Sequence, residues 1–157
     1  MELKLGDIIL VRGKGLISDA IELAEHSKYS HTASYVGDDK LIEAQGYRRT
    51  GYRSLDAYKG MADVYRCNLS RMQREKIIEL AKWAVGGFYD FPLLFVELIR
   101  YAFGVLLPYK EPPNTRICST LWAGIYRDAG IDLCPSIKYP SPADLAQSKL
   151  LRKVGSL

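Results

Sequence analysis

The sequence predicts an α+β protein in which an antiparallel sheet packs against helices. Short apolar or β-branched runs bounded by glycine-containing turns are typical of strands, and longer segments with apolar residues three or four positions apart are typical of helices. Two of the strand patterns are separated by a short turn sequence, which favours an antiparallel hairpin. With 157 residues the chain is long enough to bury a sizeable core, so we expect one domain spanning residues 1–157.

Composition narrows the class of protein. Apolar residues make up 48% and charged residues 25% of the chain, as in ordinary soluble domains. The net charge of +4 is mild, and lysine and arginine do not cluster, so we expect no nucleic-acid partner. Three cysteines are too few, and odd in number, for a disulfide scaffold, which favours a reducing compartment. The first residues lack a signal-peptide pattern, so the expected location is the cytoplasm.

The first half of the chain is predicted to form mainly strands. Residues 7–11 are an apolar run, and residues 16–25 have the apolar spacing of an amphipathic helix. Residues 31–36 and 40–45 flank a Gly-Asp-Asp turn sequence and are predicted to pair as a hairpin. The polar segment 48–58 is predicted to be a loop with one helical turn at most, and a further strand is expected at 62–67.

The second half is predicted to be mainly helical. Ser70 and Gln73 have capping-box spacing ahead of a helix that runs toward Gly86–Gly87. The most apolar stretch, 91–109, contains charges and a glycine, and a bilayer span needs roughly 20 mostly uncharged residues. We therefore expect an apolar helical insertion around 88–110, in the core or at an interface, with a peripheral membrane contact through 91–109 as the alternative. Ser141 and Pro142 have the pattern of an N-cap and first residue of a last helix.

Cys118 is predicted to lie in the first turn of a buried helix. Two prolines precede it, Asn114 and Thr115 are expected to cap the helix, and Gly130 is expected to end it. A thiol at a helix N-terminus is close to the positive end of the macrodipole, which favours the nucleophilic thiolate. The alternative is that Cys118 is a small apolar residue of the core.

The other two cysteines are weaker nucleophile candidates. Cys67 falls in a strand pattern and Cys134 precedes a proline in a loop, so neither is expected to benefit from a helix macrodipole.

A nucleophilic thiol needs a base, and the chain contains two histidines. His26 ends the first predicted helix and is best explained as a solvated or capping residue. His31 opens a strand in which His31, Ala33 and Tyr35 share one side.

The returning strand carries Glu43 and Gln45, and the hairpin loop decides which of them can orient His31. An odd loop, such as 37–39, pairs Ala33 with Glu43 and His31 with Gln45, so that Glu43 lies diagonal to His31 at about 7–8 Å between backbones. An even loop with the same pairing would turn Glu43 to the opposite face. Glu43 is therefore the first candidate, and Gln45 is the reserve.

Metal and cofactor chemistry find little support in the sequence. The scattered histidines and cysteines show none of the close spacings of zinc sites. The glycines at positions 13 and 15 do not form a phosphate-binding loop. We expect neither a metal nor a cofactor.

Six short motifs follow one another along the chain. They are Gly6-Asp7-Ile8-Ile9, Ser30-His31-Thr32-Ala33, Leu41-Ile42-Glu43-Ala44, Tyr89-Asp90-Phe91, Ile117-Cys118-Ser119-Thr120-Leu121-Trp122 and Ser141-Pro142-Ala143-Asp144-Leu145. Together they resemble the motifs of the permuted branch of the NlpC-type, papain-like thiol hydrolases, the YiiX/YebB-like proteins. In that branch the histidine strand comes first and the cysteine helix late, as here. The resemblance implies a circularly permuted papain-like fold with Cys118 as nucleophile, His31 as base and Glu43 as the residue that orients the base.

The resulting expectation is a cysteine peptidase or amidase that cleaves a small peptide through a thioester. The Cys118 amide is expected to donate to the oxyanion, with Tyr35 as a second donor because it shares the side of His31. Tyr89 and Asp90 are expected either to line the cleft or to hold the helix junction.

Two further functions stay open. A lipid thiol acyltransferase or lipase of the same fold would use the apolar stretch 91–109 as a wall for an acyl substrate. A binding protein without turnover would keep the fold alone.

Overall fold

The structure, a computed structural model, describes residues 1–13, 27–46, 48–110 and 112–157, with the side chain of Tyr101 left aside. These residues form one antiparallel sheet of six strands, in the order β4-β3-β2-β1-β5-β8, and a separate parallel pair, β6 and β7. The strands are β1 (Ile8–Val11), β2 (His31–Gly37), β3 (Lys40–Gln45), β4 (Arg48–Ser54), β5 (Ala62–Cys67), β6 (Phe88–Tyr89), β7 (Thr115–Arg116) and β8 (Leu151–Ser156). The predicted α+β class with an antiparallel sheet is confirmed.

Four α-helices accompany the sheet within the described residues: α1 (Arg71–Trp83), α2 (Phe91–Phe103), α3 (Cys118–Asp128) and α4 (Pro142–Ala146). Ser70 and Gln73 form the predicted capping box at α1, and Ser141 and Asp144 form one at α4. A 3₁₀ turn (Leu55–Tyr58) follows β4. The predicted helix at 16–25 and His26 lie outside the described residues.

The hairpin of β2 and β3 has the register that the odd-loop hypothesis requires. Ala33 pairs with Glu43, but the strands are joined by a two-residue turn, Asp38 and Asp39, both at positive φ. A bulge between Tyr35 and Gly37 adds one residue to β2 and restores the parity. The side chains of His31 and Glu43 therefore lie on the same face of the sheet.

The sheet separates two apolar cores. Ile8, Leu10 and Ile42 pack on one face with Trp122 and Tyr126 of α3. The fully buried Trp122 donates its indole N–H to the Ile42 carbonyl at 3.2 Å, which fixes α3 against β3. The residues that alternate with these build the second core, which contains Ile9, Val11, Ala33, Leu41 and Tyr58.

Two local predictions are wrong, and one strand was not predicted. Residues 48–54 form the edge strand β4 rather than a loop, and the C-terminal strand β8 was not anticipated. Neither Asn114 nor Thr115 caps the cysteine helix, because the chain first adds β7 beside β6 and Ile117 becomes the N-cap. Gly130 does lie just after α3, at a φ of 84° that favours glycine.

The apolar insertion contains β6, α2 and an irregular return segment that ends at Tyr109 and Lys110. α2 is 13 residues long and ends at Gly104, which has a left-handed φ of 69°. Within the described ranges, no helix combines the length and the apolar character needed to cross a bilayer.

Candidate active site

Cys118 is the first residue of α3, as the sequence predicts. The N-cap, Ile117, has no side-chain acceptor, so its own side chain does not cap the amides that open the helix. Thr120 reaches back and accepts the Ile117 N–H at 3.2 Å, which fixes the chain as it enters the helix. Cys118 is thus held at the helix N-terminus and is only 5% exposed.

His31 and Glu43 are joined by a short hydrogen bond. The distance from His31 Nε2 to Glu43 Oε2 is 2.9 Å, and the two side chains are 17% and 6% exposed. The diagonal pairing across β2 and β3 makes this contact possible, because the longer glutamate side chain spans the gap to the ring. With Nε2 engaged by Glu43, the Nδ1 atom of His31 remains for another partner.

Cys118 lies beside the imidazole, close enough to act on the pKa of His31. Burial alone would lower the pKa of His31, but the Coulomb interaction and hydrogen bond with Cys118, followed by those with Glu43, raise this pKa to about 10. The protonated imidazole is therefore the favoured form at neutral pH. The environment is suited to a thiolate–imidazolium pair.

Tyr58, which the sequence did not indicate as a site residue, also bonds to Glu43. Its hydroxyl donates to Glu43 Oε2 at 2.6 Å, the same oxygen that contacts His31. Burial would raise the pKa of Glu43, yet the bonds with His31 and then Tyr58, together with the charge of Arg53, lower it. Glu43 thus stays an acceptor for the imidazolium.

Tyr89 lies on the cysteine side of the site. The parallel pairing of β6 with β7 places Tyr89 opposite Arg116, two residues before Cys118. Burial, followed by the charge interaction with Cys118, raises the pKa of Tyr89, so its hydroxyl keeps its proton. Tyr89 is therefore able to donate a hydrogen bond beside the thiol.

Asp90 has a structural place rather than a place in the cleft. It is fully buried, accepts the Leu93 N–H at 2.9 Å as the N-cap of α2, and accepts the Tyr109 hydroxyl at 2.6 Å. Of the two expectations for Asp90, the role at the helix junction agrees with these contacts.

Gln45, the reserve candidate for orienting His31, and Tyr35, the candidate oxyanion donor, make no hydrogen bond with His31 or Cys118 within the described residues. Gln45 lies near the end of the β3–β4 hairpin, paired with Arg48, and the imidazole bonds to Glu43 instead. Tyr35 is four residues from His31, about 13 Å along an extended strand, and packs against the second core. This position does not support the expectation that Tyr35 is a second oxyanion donor.

Cys67 and Cys134 have environments that favour the thiol form. Both are buried, and burial raises the pKa of Cys67 and raises that of Cys134 to about 11. Neither begins a helix. Cys118 is equally buried and differs from these two cysteines in its position at a helix start.

The fold and the site together define an α+β protein in which an early histidine strand meets the start of a late cysteine helix. The whole chain is similar to a solved structure, that of YiiX from Escherichia coli O157:H7, described as a metalloprotein of the DUF1105 group. The TM-score is 0.76 at 21% identity, and the similarity covers 100% of this chain and 99% of YiiX. At this identity it establishes a YiiX-like fold. No protein-family profile matches the sequence, and no curated protein matches it significantly.

The description of YiiX as a metalloprotein makes the donor set of this chain relevant. A protein metal site usually needs three or more His, Cys, Asp or Glu side chains converging on one point. The part of the chain that the structure describes contains no such group. Glu43 and His31 bond to each other, and Tyr58 bonds to the same Glu43 oxygen, so these side chains do not turn toward a common point. These residues do not fit a metal centre.

Proposed function

We propose that this protein is a papain-like cysteine peptidase or amidase that cleaves an amide bond through Cys118, His31 and Glu43. One observation carries the proposal: a hydrogen-bonded chain from Tyr58 through Glu43 to His31, with the cysteine of a helix start beside the imidazole. A nucleophile, a base within reach of it, and a group that orients the base are the elements of covalent catalysis. The order of the histidine strand and the cysteine helix supports a circularly permuted papain-like fold.

The proposed reaction has two steps. His31 holds the proton of Cys118, and the thiolate attacks the carbonyl carbon to form a tetrahedral intermediate. The imidazolium then gives this proton to the leaving nitrogen, so that the C–N bond breaks and a thioester and an amine form. In the second step His31 takes a proton from water, the hydroxide attacks the thioester, and the acid and the Cys118 thiol are released.

The oxyanion of each tetrahedral intermediate needs hydrogen-bond donors. The backbone amide of Cys118, at the start of α3, is the first candidate. The protonated Tyr89 hydroxyl is the second, in place of Tyr35. Removing one such donor typically costs about 3–4 kcal/mol of transition-state stabilisation.

The reactivity of the three thiols tests the proposal. We expect iodoacetamide to modify Cys118 roughly tenfold or more faster than Cys67 or Cys134 near neutral pH, as read by peptide mapping. His31→Ala should slow the modification of Cys118, and peptide or amide hydrolysis should disappear in Cys118→Ser but persist in the matched control Cys134→Ser. Equal labelling of the three cysteines in the folded protein would contradict the proposal and favour a binding protein.

A second function with the same thioester chemistry is a lipid thiol acyltransferase or lipase. The observation that favours it is the row of exposed phenylalanines on α2, beside the site: Phe91 is 53% exposed and its ring lies 5.1 Å from that of Tyr89. The substrate separates the two functions, because the lipid enzyme should release a fatty acid from a phospholipid while leaving short peptide amides intact.

A further inference from the structure

α2 has its polar residues on the inside and its apolar residues on the outside. Glu97 is 3% exposed, and Arg100 bridges it to Asp144 of α4, with N–O distances of 2.9 Å to each. The charged residues of this helix therefore face the protein. This polarity is the reverse of that of an ordinary surface helix.

The solvent side of α2 and of the segment after it forms an apolar surface, here called the α2 outer surface. Its large side chains are between 45% and 77% exposed, and they are Phe91, Phe95, Phe103, Val105 and Leu106. Single exposed apolar residues are common in soluble proteins, but a contiguous row marks a contact with a protein or a membrane. Leu93 and Val96, on the inner side, are buried with Ile117 and Tyr139, so the helix has a core of its own and does not need the outer residues for packing.

Exposed cations gather near the start of α2, beside the apolar surface. Arg49 lies over the ring of Phe88, 4.3 Å from its centre, and Arg48 is its exposed neighbour. The return segment brings Tyr109 back to Asp90, so that the exposed Lys110 also lies near this end. The acidic residues within 88–110 are Asp90 and Glu97, and both are buried.

We infer that the α2 outer surface docks on an anionic lipid bilayer. The apolar side chains of the α2 outer surface would insert into the hydrocarbon of the bilayer. Arg48, Arg49 and Lys110 would bind the negatively charged headgroups. A second copy of the chain fits less well, since its own α2 outer surface offers apolar side chains but no exposed carboxylate within 88–110 for these cations. Because Phe91 contacts Tyr89, the docked surface would border the candidate active site.

Vesicle co-sedimentation of the full chain tests this inference. We expect binding to mixed phosphatidylcholine–phosphatidylglycerol vesicles and much weaker binding to phosphatidylcholine alone. Phe95→Ser combined with Phe103→Ser should weaken the binding roughly tenfold or more, because two large apolar side chains no longer enter the bilayer. Met72→Ser is the matched control: Met72 is 81% exposed but lies on α1, and this variant should bind like the parent.

Two further variants test the exposed cations and the candidate nucleophile separately. Arg48→Gln combined with Lys110→Gln should reduce the preference for anionic vesicles without abolishing apolar binding, and Cys118→Ser should bind vesicles like the parent whether or not the protein is an enzyme. Equal binding by the parent and the Phe95/Phe103 variant, or no binding by the parent, would overturn the inference. So would a parent that is dimeric by light scattering, becomes monomeric in the Phe95/Phe103 variant and ignores vesicles, because that result would assign the surface to a second copy.

Discussion

At the scale of single residues, Glu43 helps to set the pH at which His31 loses its proton. The carboxylate bonds to Nε2 at 2.9 Å and, together with Cys118, raises the pKa of His31 from its usual value of 6.5 to about 10. The imidazole of His31 therefore keeps its proton at neutral pH and loses it as the pH rises through about 10. An enzyme of this kind should show an alkaline limit near that value.

Glu43→Gln is the corresponding variant, because it removes the charge but keeps the size of the side chain. We expect hydrolysis at neutral pH to fall about 100-fold, within the range attributed to a well-placed general base, and the alkaline limit of kcat/KM to move to lower pH. A pH profile of kcat/KM, or of Cys118 alkylation, measures both effects. Gln45→Ala is the control and should leave the profile in place; a shift in Gln45→Ala and none in Glu43→Gln would show that Gln45 orients the base.

Tyr58 shows the limit of sequence reasoning at this scale. The chain has 11 tyrosines, and the hydrogen bond from Tyr58 to Glu43 joins residues 15 positions apart. It depends on the 3₁₀ turn that carries Tyr58 toward β3, and a polar segment interpreted as a loop did not predict that turn with enough accuracy to place a side chain. Cys118, His31 and Glu43 were easier to predict from the sequence, because each begins or lies within an element with a clear apolar pattern.

At the scale of elements, the β2–β3 hairpin determines which side chain meets His31. Alternation along the strands was sufficient to state the two alternatives, and the pairing of Ala33 with Glu43 is confirmed although the turn has an even number of residues. The sequence did not reveal how it is achieved, since the two-residue turn alone would give the wrong parity and the bulge at Val36 corrects it. A bulge depends on the packing of both strands, and a local pattern does not record this packing.

The hairpin turn itself yields a stability prediction. Asp38 and Asp39 have φ values of 50° and 52°, a conformation that favours glycine, above all at the second turn position. We expect Asp39→Gly to raise the free energy of unfolding by about 0.5–1 kcal/mol, measured by urea denaturation. Lys59→Gly is the control, since Lys59 has an ordinary φ of −58° and glycine there should destabilise the protein. A loss of stability in Asp39→Gly would contradict the strain assigned to this turn.

Edge strands were the elements that the sequence predicted least well. β4 and β8 lie at the two edges of the six-stranded sheet, and both carry several exposed charged residues. Much of their surface faces solvent, so they need no continuous apolar run. β1, β2, β3 and β5 are buried between neighbours, and their patterns were correspondingly clear.

At the scale of the whole molecule, a buried aspartate connects distant parts of the chain. Asp63 of β5 is fully buried and lies at the end of the sheet where β1 ends and β2 begins. Arg12, Tyr29, Lys153 and Ser156 all donate to it, at distances between 2.6 and 2.9 Å. These donors come from the end of β1, the segment before β2, and β8, so one carboxylate ties together the strands on both sides of β5.

Asp63→Asn should therefore destabilise the protein by about 3 kcal/mol, the low end of the range for breaking a buried ion pair, because the partly exposed cations can be hydrated again. Burial would raise the pKa of Asp63, but the hydrogen bonds from Tyr29, Ser156, Lys153 and Arg12 outweigh burial and lower this pKa well below its usual 3.8. The contribution of the Asp63 carboxylate to the free energy of unfolding is thus fully present above its usual pKa of 3.8. This contribution is lost as the pH falls from that value through the lowered pKa. Urea unfolding should show a constant difference between the parent and Asp63→Asn from pH 7 to about pH 5, and a smaller difference below about pH 4. Asp56→Asn, at an exposed position, should change stability by no more than about 0.5 kcal/mol, and an equally small effect of Asp63→Asn would show that this carboxylate does not hold the sheet together.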